Sequence, residues 1–256
     1  MPPAVLIGAV VAAVLFAQAF VRLRRRPDHA PWSRAALFAA GLALLVLPLV
    51  SPLDHVGDEE LLSAHMLQHV LIGDAGPALI VVAVRGPLLF FLLPPLLLRP
   101  LAGVRPLRAF LALLLVPLVS LGIWAVAFLA WHVPAAYDYA AARPLAHDLE
   151  HLSFIVAGFL AWTQLVDPAR HGRLRRPQRV FFALAMLAIA QPLVDALLFT
   201  APAYDRYTGA HGLSAQTDQR LAGAVMMVEQ LLTLGVCVAL LLRPYVRERF
   251  RKPAFT

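Results

Sequence analysis

Cysteine is nearly absent: Cys237 is the only one in 256 residues. Intramolecular disulfides and Cys-based zinc or iron–sulfur sites are therefore excluded. Cys237, late in an apolar segment, reads as a small packing residue. Charge is scarce too, at 14% of residues, where a soluble domain of this length carries roughly a quarter. No nucleophile elbow, phosphate loop or dinucleotide fingerprint occurs in a credible context. No internal repeat or low-complexity linker divides residues 1–256, so one bundle is the economical reading.

What the chain has is apolar length: 61% hydrophobic residues and a mean hydropathy of +0.74. The few charges cluster and leave apolar runs of about 17–25 residues, the length a bilayer core requires. The expected fold is all-α, a polytopic membrane protein with seven transmembrane helices near 3–22, 34–50, 61–84, 109–131, 147–166, 178–200 and 218–242. Ala17-Gln18-Ala19 resembles a signal cleavage site. However, no basic residue precedes that apolar core, and Arg22, Arg24, Arg25 and Arg26 follow it, so a retained first span is expected. Pro87 to Leu98 is apolar but too short to cross and contains Pro94-Pro95; it is expected to lie in the interface or re-enter it.

The net charge of +7 and pI near 10.5 point to cytoplasmic loops rather than nucleic acid. Alternate connections carry Arg22 to Arg34, Arg85 to Arg108, Arg170 to Arg179, and the tail from Arg243 to Lys252. Together they hold 19 of the 22 basic residues, and the other connections hold only Arg143, Arg206 and Arg220. This asymmetry predicts an N-terminus outside and a C-terminus in the cytoplasm. Trp131, Tyr137, Tyr139, Tyr204 and Tyr207 fall where an outer aromatic belt would lie.

With that threading, His55, His65, His69, His132, His147, His151 and His211 reach the outer boundary, while His29 and His171 sit in arginine-rich cytoplasmic loops. His65/His69 and His147/His151 are i, i+4 pairs, each placing two imidazoles about 6 Å apart on one helix face, within reach of one metal ion. His132 ends the fourth helix. Any one of these histidines reads best as an interfacial residue bonded to a carbonyl or water. Five of them delivered to one depth by three helices read as a metal or haem site. Imidazole suits copper, zinc and iron, and nearby thioethers favour Cu(I). Met66 and Met226 are the candidates, although methionines in apolar helices usually pack. Glu150 and Asp148 are candidate acceptors that fix an imidazole tautomer, or else solvated loop-end charges.

Asp74, Asp195 and Glu229 fall within spans, where a charge costs about 2.5–3.5 kcal/mol, so they are expected to face the bundle interior. They read as neutral hydrogen-bonded acids, paired with Gln191 or Gln230, or as parts of an ion path. On a regular helix Asp74 lies about 140° around from His69, which argues against direct ligation.

The stretch His65-Met66-Leu67-Gln68-His69, then Trp131-His132-Val133-Pro134-Ala135-Ala136-Tyr137-Asp138, resembles the CtaG proteins, assembly factors of caa3-type cytochrome c oxidases. So do His147-Asp148-Leu149-Glu150-His151-Leu152-Ser153-Phe154 and Leu213-Ser214-Ala215 followed by Asp218-Gln219-Arg220-Leu221-Ala222-Gly223. These motifs occur in the family's order. The resemblance implies a seven-helix bacterial inner-membrane protein that is not an enzyme. It implies a partner in the oxidase catalytic subunit, supplied with copper from this chain, with a copper donor protein upstream. The family's metal-handling positions map onto His65, His69, His132, His147 and His151, and Asp218, Gln219 and Met226 also match its pattern. After Met226 the family carries tryptophan, where Met227, Val228 and Glu229 stand here, and Asp74 and Arg85 replace apolar or small residues. Two readings compete with a copper-handling assembly factor: a haem- or zinc-binding membrane enzyme with Glu150 as base, and a transporter using Asp74, Asp195 and Glu229.

Overall fold

A computed structural model describes residues 2–26 and 28–251; Lys252, counted above in the basic tail, lies outside them. Helix accounts for every regular element among the described residues. Proline sets most of the boundaries. It stands in the first two positions of nine helices, where its missing N–H has no intrahelical partner to lose and its fixed φ suits the first turn.

The first two spans are α1 (Pro2–Leu23) and α2 (Trp32–Val50), followed by a short helix, α3 (Pro52–Glu59), capped by the Ser51 side chain. The third span joins α4 (Leu62–Val70) to α5 (Gly76–Val84) through a π-turn at Leu71–Ala75. Short helices α6 (Pro87–Phe91) and α7 (Pro95–Gly103) follow, then α8 (Arg105–Leu114), α9 (Pro117–Trp131) and α10 (Pro134–Ala141). The remaining spans are α11 (Pro144–Val166), α12 (Arg176–Phe199), and α13 (Ala215–Gln230) joined to α14 (Val236–Arg251) by a second π-turn at Leu231–Gly235.

Among the described residues, six helices are long and apolar enough to cross a membrane, or up to seven if the bent pair α8 and α9 counts as one span. The expected continuous fourth helix at 109–131 is thus corrected: its axis turns by 71° at residues 115–116. Pro117 causes the break, because it holds Val116 in extended backbone and cannot donate to the preceding turn. The carbonyls released there are satisfied by Ser120 Oγ, 2.7 Å from the Leu114 oxygen, and Gln164 Nε2, 3.1 Å from the Leu115 oxygen. The segment 87–98 forms two short helices with Leu96 84% exposed, as expected of a piece that does not cross.

The third span is central. It packs on α2, on α11, and through α4 on α13, while α9 and α12 complete the wall. Two close approaches set its spacing: α2 meets α5 at Gly41, and the π-turn meets α11 at Gly73 and Gly158. Small residues at crossings let helix backbones approach without side chains between them. A core of Trp124, Ala157, Ala161, Trp162, Phe182 and Met186 fills the middle of the bundle.

The aromatic-belt expectation is corrected for three residues. Tyr137, Tyr204 and Tyr207 are buried and form a core with Leu62, Met66 and Met226 at the histidine end. Trp131 donates to Ser153 Oγ, and Tyr139 alone stays largely exposed. Asp195 also departs from expectation. It is exposed on the outer surface of α12 and accepts from Gln191 at 2.7 Å. Its place about a turn from the helix end lets its carboxylate reach the interface.

Candidate metal centre

Helix spacing, two crossings and one cross-bundle cap bring the histidines together. His65 and His69 lie one turn apart on α4, and His147 and His151 one turn apart on α11, with ring centroids 4.1 and 4.2 Å apart. Between helices, the His65 and His147 centroids are 5.6 Å apart and the His69 and His151 centroids 5.3 Å. His65, His69, His147 and Glu150 each offer one ligand atom, and those four atoms lie within 4.8 Å of one another. Ligands at about 2.1 Å in tetrahedral geometry stand roughly 3.4 Å apart, so closing by about an ångström completes the coordination shell.

The donors are buried and lack partners within the protein. Both ring nitrogens of His65 and of His69, His147 Nε2, His151 Nε2, Glu150 Oε1 and Asp58 Oδ1 make no hydrogen bond. Buried polar atoms are ordinarily satisfied, because each unpaired one costs on the order of 1–3 kcal/mol. Four of the residues that carry these atoms, His65, His69, His147 and Glu150, bring one ligand atom each within 4.8 Å of the others, an arrangement that could hold a cation. Asp58, on α3, was missed in the sequence reading. Its Oδ1 lies 3.5 Å from His65 Nδ1 and 3.4 Å from His147 Nε2, placing a negative charge beside the cluster. The available signal is a Ser51-Pro52 helix start with Asp54 and Asp58 one turn apart, between the second and third spans. Asp148, the expected acceptor for His147, is not brought to the site. It points toward a cleft against α1 and α2, as its one-residue offset on α11 requires.

His132 and the methionines form a second group beside the first. His132 Nδ1 lies 2.5 Å from the Phe128 carbonyl, so the hydrogen of the neutral ring sits there and Nε2 is left a bare acceptor. That Nε2 faces Met66 Sδ at 3.3 Å. Met66, His69, His132 and Met226 share a cavity of about 50 Å³ with Asp74 and Glu229.

Asp74 reaches this cavity although regular helix geometry turns it away. The π-turn at Leu71–Ala75 contains Asp74, absorbs one extra residue and so departs from the regular register, and Asp74 lines the same cavity as His69. Its carboxylate accepts from Trp162 Nε1 and, at 2.8 Å, from Thr233 Oγ1 in the other π-turn. Asp74 thereby ties the third, fifth and seventh spans below the histidines.

Scaffolding residues hold the cluster in place. Asp218 Oδ2 accepts the Leu62 N–H at 2.7 Å, and Oδ1 accepts the Ser63 N–H at 3.0 Å and the Ser63 hydroxyl at 2.5 Å. It is a borrowed N-cap, supplied by α13 to the helix that carries His65 and His69. Gln219 anchors the loop after α12, accepting from Ala203 N at 2.7 Å and donating to the Ala201 carbonyl at 3.1 Å. Gln68 donates to the Pro48 carbonyl and to Asp54 Oδ1, fixing α3 over the cluster. Burial raises the Asp54 carboxyl above its ordinary range, partly offset by the Gln68 bond. Tyr207 donates to the Gly57 carbonyl at 2.6 Å, and Gly57 is small because a Cβ there would sit 3.0 Å from His65 Cα. Burial holds the Tyr204 and Tyr207 hydroxyls well above the usual tyrosine range, so they act as neutral donors. His55 and His211 stay outside the cluster beside Glu60, and His29 and His171 lie toward the far end.

A multi-pass helical membrane protein with a buried polyhistidine pocket at one end of its bundle is the class that this fold and site define. The chain matches the family model of the cytochrome c oxidase caa3 assembly factor, Caa3_CtaG, over residues 14–248, and it belongs to that family. Its role is accordingly in oxidase assembly, which implies a non-catalytic protein that interacts with the oxidase. No curated protein and no solved structure matches the chain.

Proposed function

We propose that this protein holds one copper ion at His65, His69, His147 and Glu150 and passes it to the haem–copper subunit of a caa3-type oxidase. The observation that carries this reading is the convergence of four buried ligand atoms from two spans, none satisfied within the protein. Three imidazoles and a carboxylate also suit zinc, and the choice of copper rests on what lies next to them. Met66 and Met226 supply thioethers, which favour Cu(I), and the bare Nε2 of His132 stands beside Met66. His151, packed on both His69 and His147, is positioned to exchange with a ligand during loading or release.

The arginine asymmetry supports an outward-facing cluster in a bacterial inner membrane, where an incoming copper donor and the oxidase's own metal site are both accessible. Copper is the cargo here. Asp58 offsets its charge, and the tyrosine-pinned α3 covers the site.

The test is the metal content of the oxidase itself. In cells whose only copy of this protein is H65A/H69A, the purified oxidase is expected to keep its haem and lose copper. Oxidase with a full copper complement from those cells would refute delivery by this cluster.

A further inference from the structure

The end of the bundle opposite the histidines holds a cleft of about 820 Å³ that oxidase assembly leaves without a role. Three chain segments build it: the start of α2, the Arg85-Gly86 turn after α5, and the loop between α11 and α12. They are locked together. Gly86, at φ 73°, donates its N–H to the Pro168 carbonyl at 2.7 Å, and the Arg34 guanidinium donates to the Arg85 carbonyl. In the facing loop, Asp167 and Arg170 adopt left-handed φ values of 51° and 58° without being glycine. Such conformations cost on the order of 1 kcal/mol or more each, and persist where the surroundings require them, often at binding sites.

Four arginines line this cleft: Arg34, Arg85, Arg170 and Arg179. Arg179 is paired with Asp167 at 2.7 Å. Among the described residues, no carboxylate lies within ion-pair distance of the other three, although Asp28 also faces the cleft. Guanidiniums gathered without counter-charge repel one another, and their forked donors match the oxygens of a phosphate group. The rim is apolar: Phe90 is 55% exposed and Phe91 43% exposed, on the short helices that lie against the spans. Basic pockets between spans, edged by apolar surface, suit a charged headgroup with its acyl chains outside.

We propose that this cleft binds a phosphate-bearing anion, and that the headgroup of an anionic glycerophospholipid is the form that also uses the Phe90-Phe91 rim.

The full chain, purified in a neutral detergent, is titrated with dioleoylphosphatidylglycerol, dioleoylphosphatidylcholine and inorganic phosphate, with retained lipid counted by native mass spectrometry. Phosphatidylglycerol is expected to bind and phosphatidylcholine not. Replacing Arg85 and Arg170 by glutamine should weaken phosphatidylglycerol roughly 30-fold, at about a kilocalorie per arginine. R25Q/R173Q, which removes the same charge outside the cleft, should leave binding nearly unchanged. Displacement of the lipid by inorganic phosphate would support the site and name free phosphate as sufficient; failure of phosphate to compete, with the arginine dependence intact, would assign the lipid. Equal binding of both lipids, or equal loss in both double variants, overturns the proposal. If R85Q/R170Q does not melt cooperatively, R170Q on the exposed loop takes its place under the same criteria.

Discussion

The backbone oxygen of Gly73 occupies the space that a Cβ on Gly158 would need. This contact fixes how closely the third and fifth spans approach, and therefore how far His65 and His69 stand from His147 and His151. A side chain at 158 must push the π-turn from α11, and neither backbone offers a flexible end that yields. Gly158→Ala is expected to destabilise the bundle by roughly 1–3 kcal/mol, the range for overpacking a tight core. It should also weaken metal binding by separating the two histidine pairs. Thermal unfolding in detergent and a metal titration on the same sample check both parts.

Asp58 and Asp148 make opposite predictions although both are aspartates adjacent to the cluster in sequence or space. Asp58 lies 3.4–3.5 Å from two of the imidazoles, whereas Asp148 faces α1 and α2. Asp58→Asn should weaken metal binding by about 10–100-fold, the usual cost of losing a group that orients a ligand. Asp148→Asn should leave affinity unchanged. An equal effect of the two would mean that general negative charge, rather than position, assists the site.

Asp218 is expected to act on stability before it acts on metal. Its carboxylate satisfies three donors at the start of α4, and an alanine there leaves them buried without partners. Asp218→Ala should cost about 2 kcal/mol and lower the unfolding temperature. Asp218→Asn, which keeps one acceptor oxygen, should recover part of that loss.

The spans and both histidine pairs were legible because each rests on local rules: apolar length for a helix in lipid, and four-residue spacing for a shared face. The break at Pro117 escaped the expected helix at 109–131, because apolar length runs straight through it even though proline disfavours the preceding helical turn. What remained hidden depends on contacts far apart in the chain. Asp58 reaches the cluster only because Gln68 and Tyr207 fold α3 over α4. Asp74 joins the cavity only because a π-turn changes the helix register, and nothing in Leu71–Ala75 announces that turn. The buried tyrosines have belt-like spacing, and their interior placement follows from partners more than 65 residues away.

The most direct measurement is a Cu(I) titration of the purified protein against a competing chelator, carried out beside H65A/H69A and H147A. One tightly held copper ion per chain is expected in the unaltered protein, with affinity falling in H147A and the site lost in H65A/H69A, while both variants keep a cooperative thermal transition. Unaltered Cu(I) affinity in the folded H65A/H69A variant would contradict the assignment of copper to this cluster.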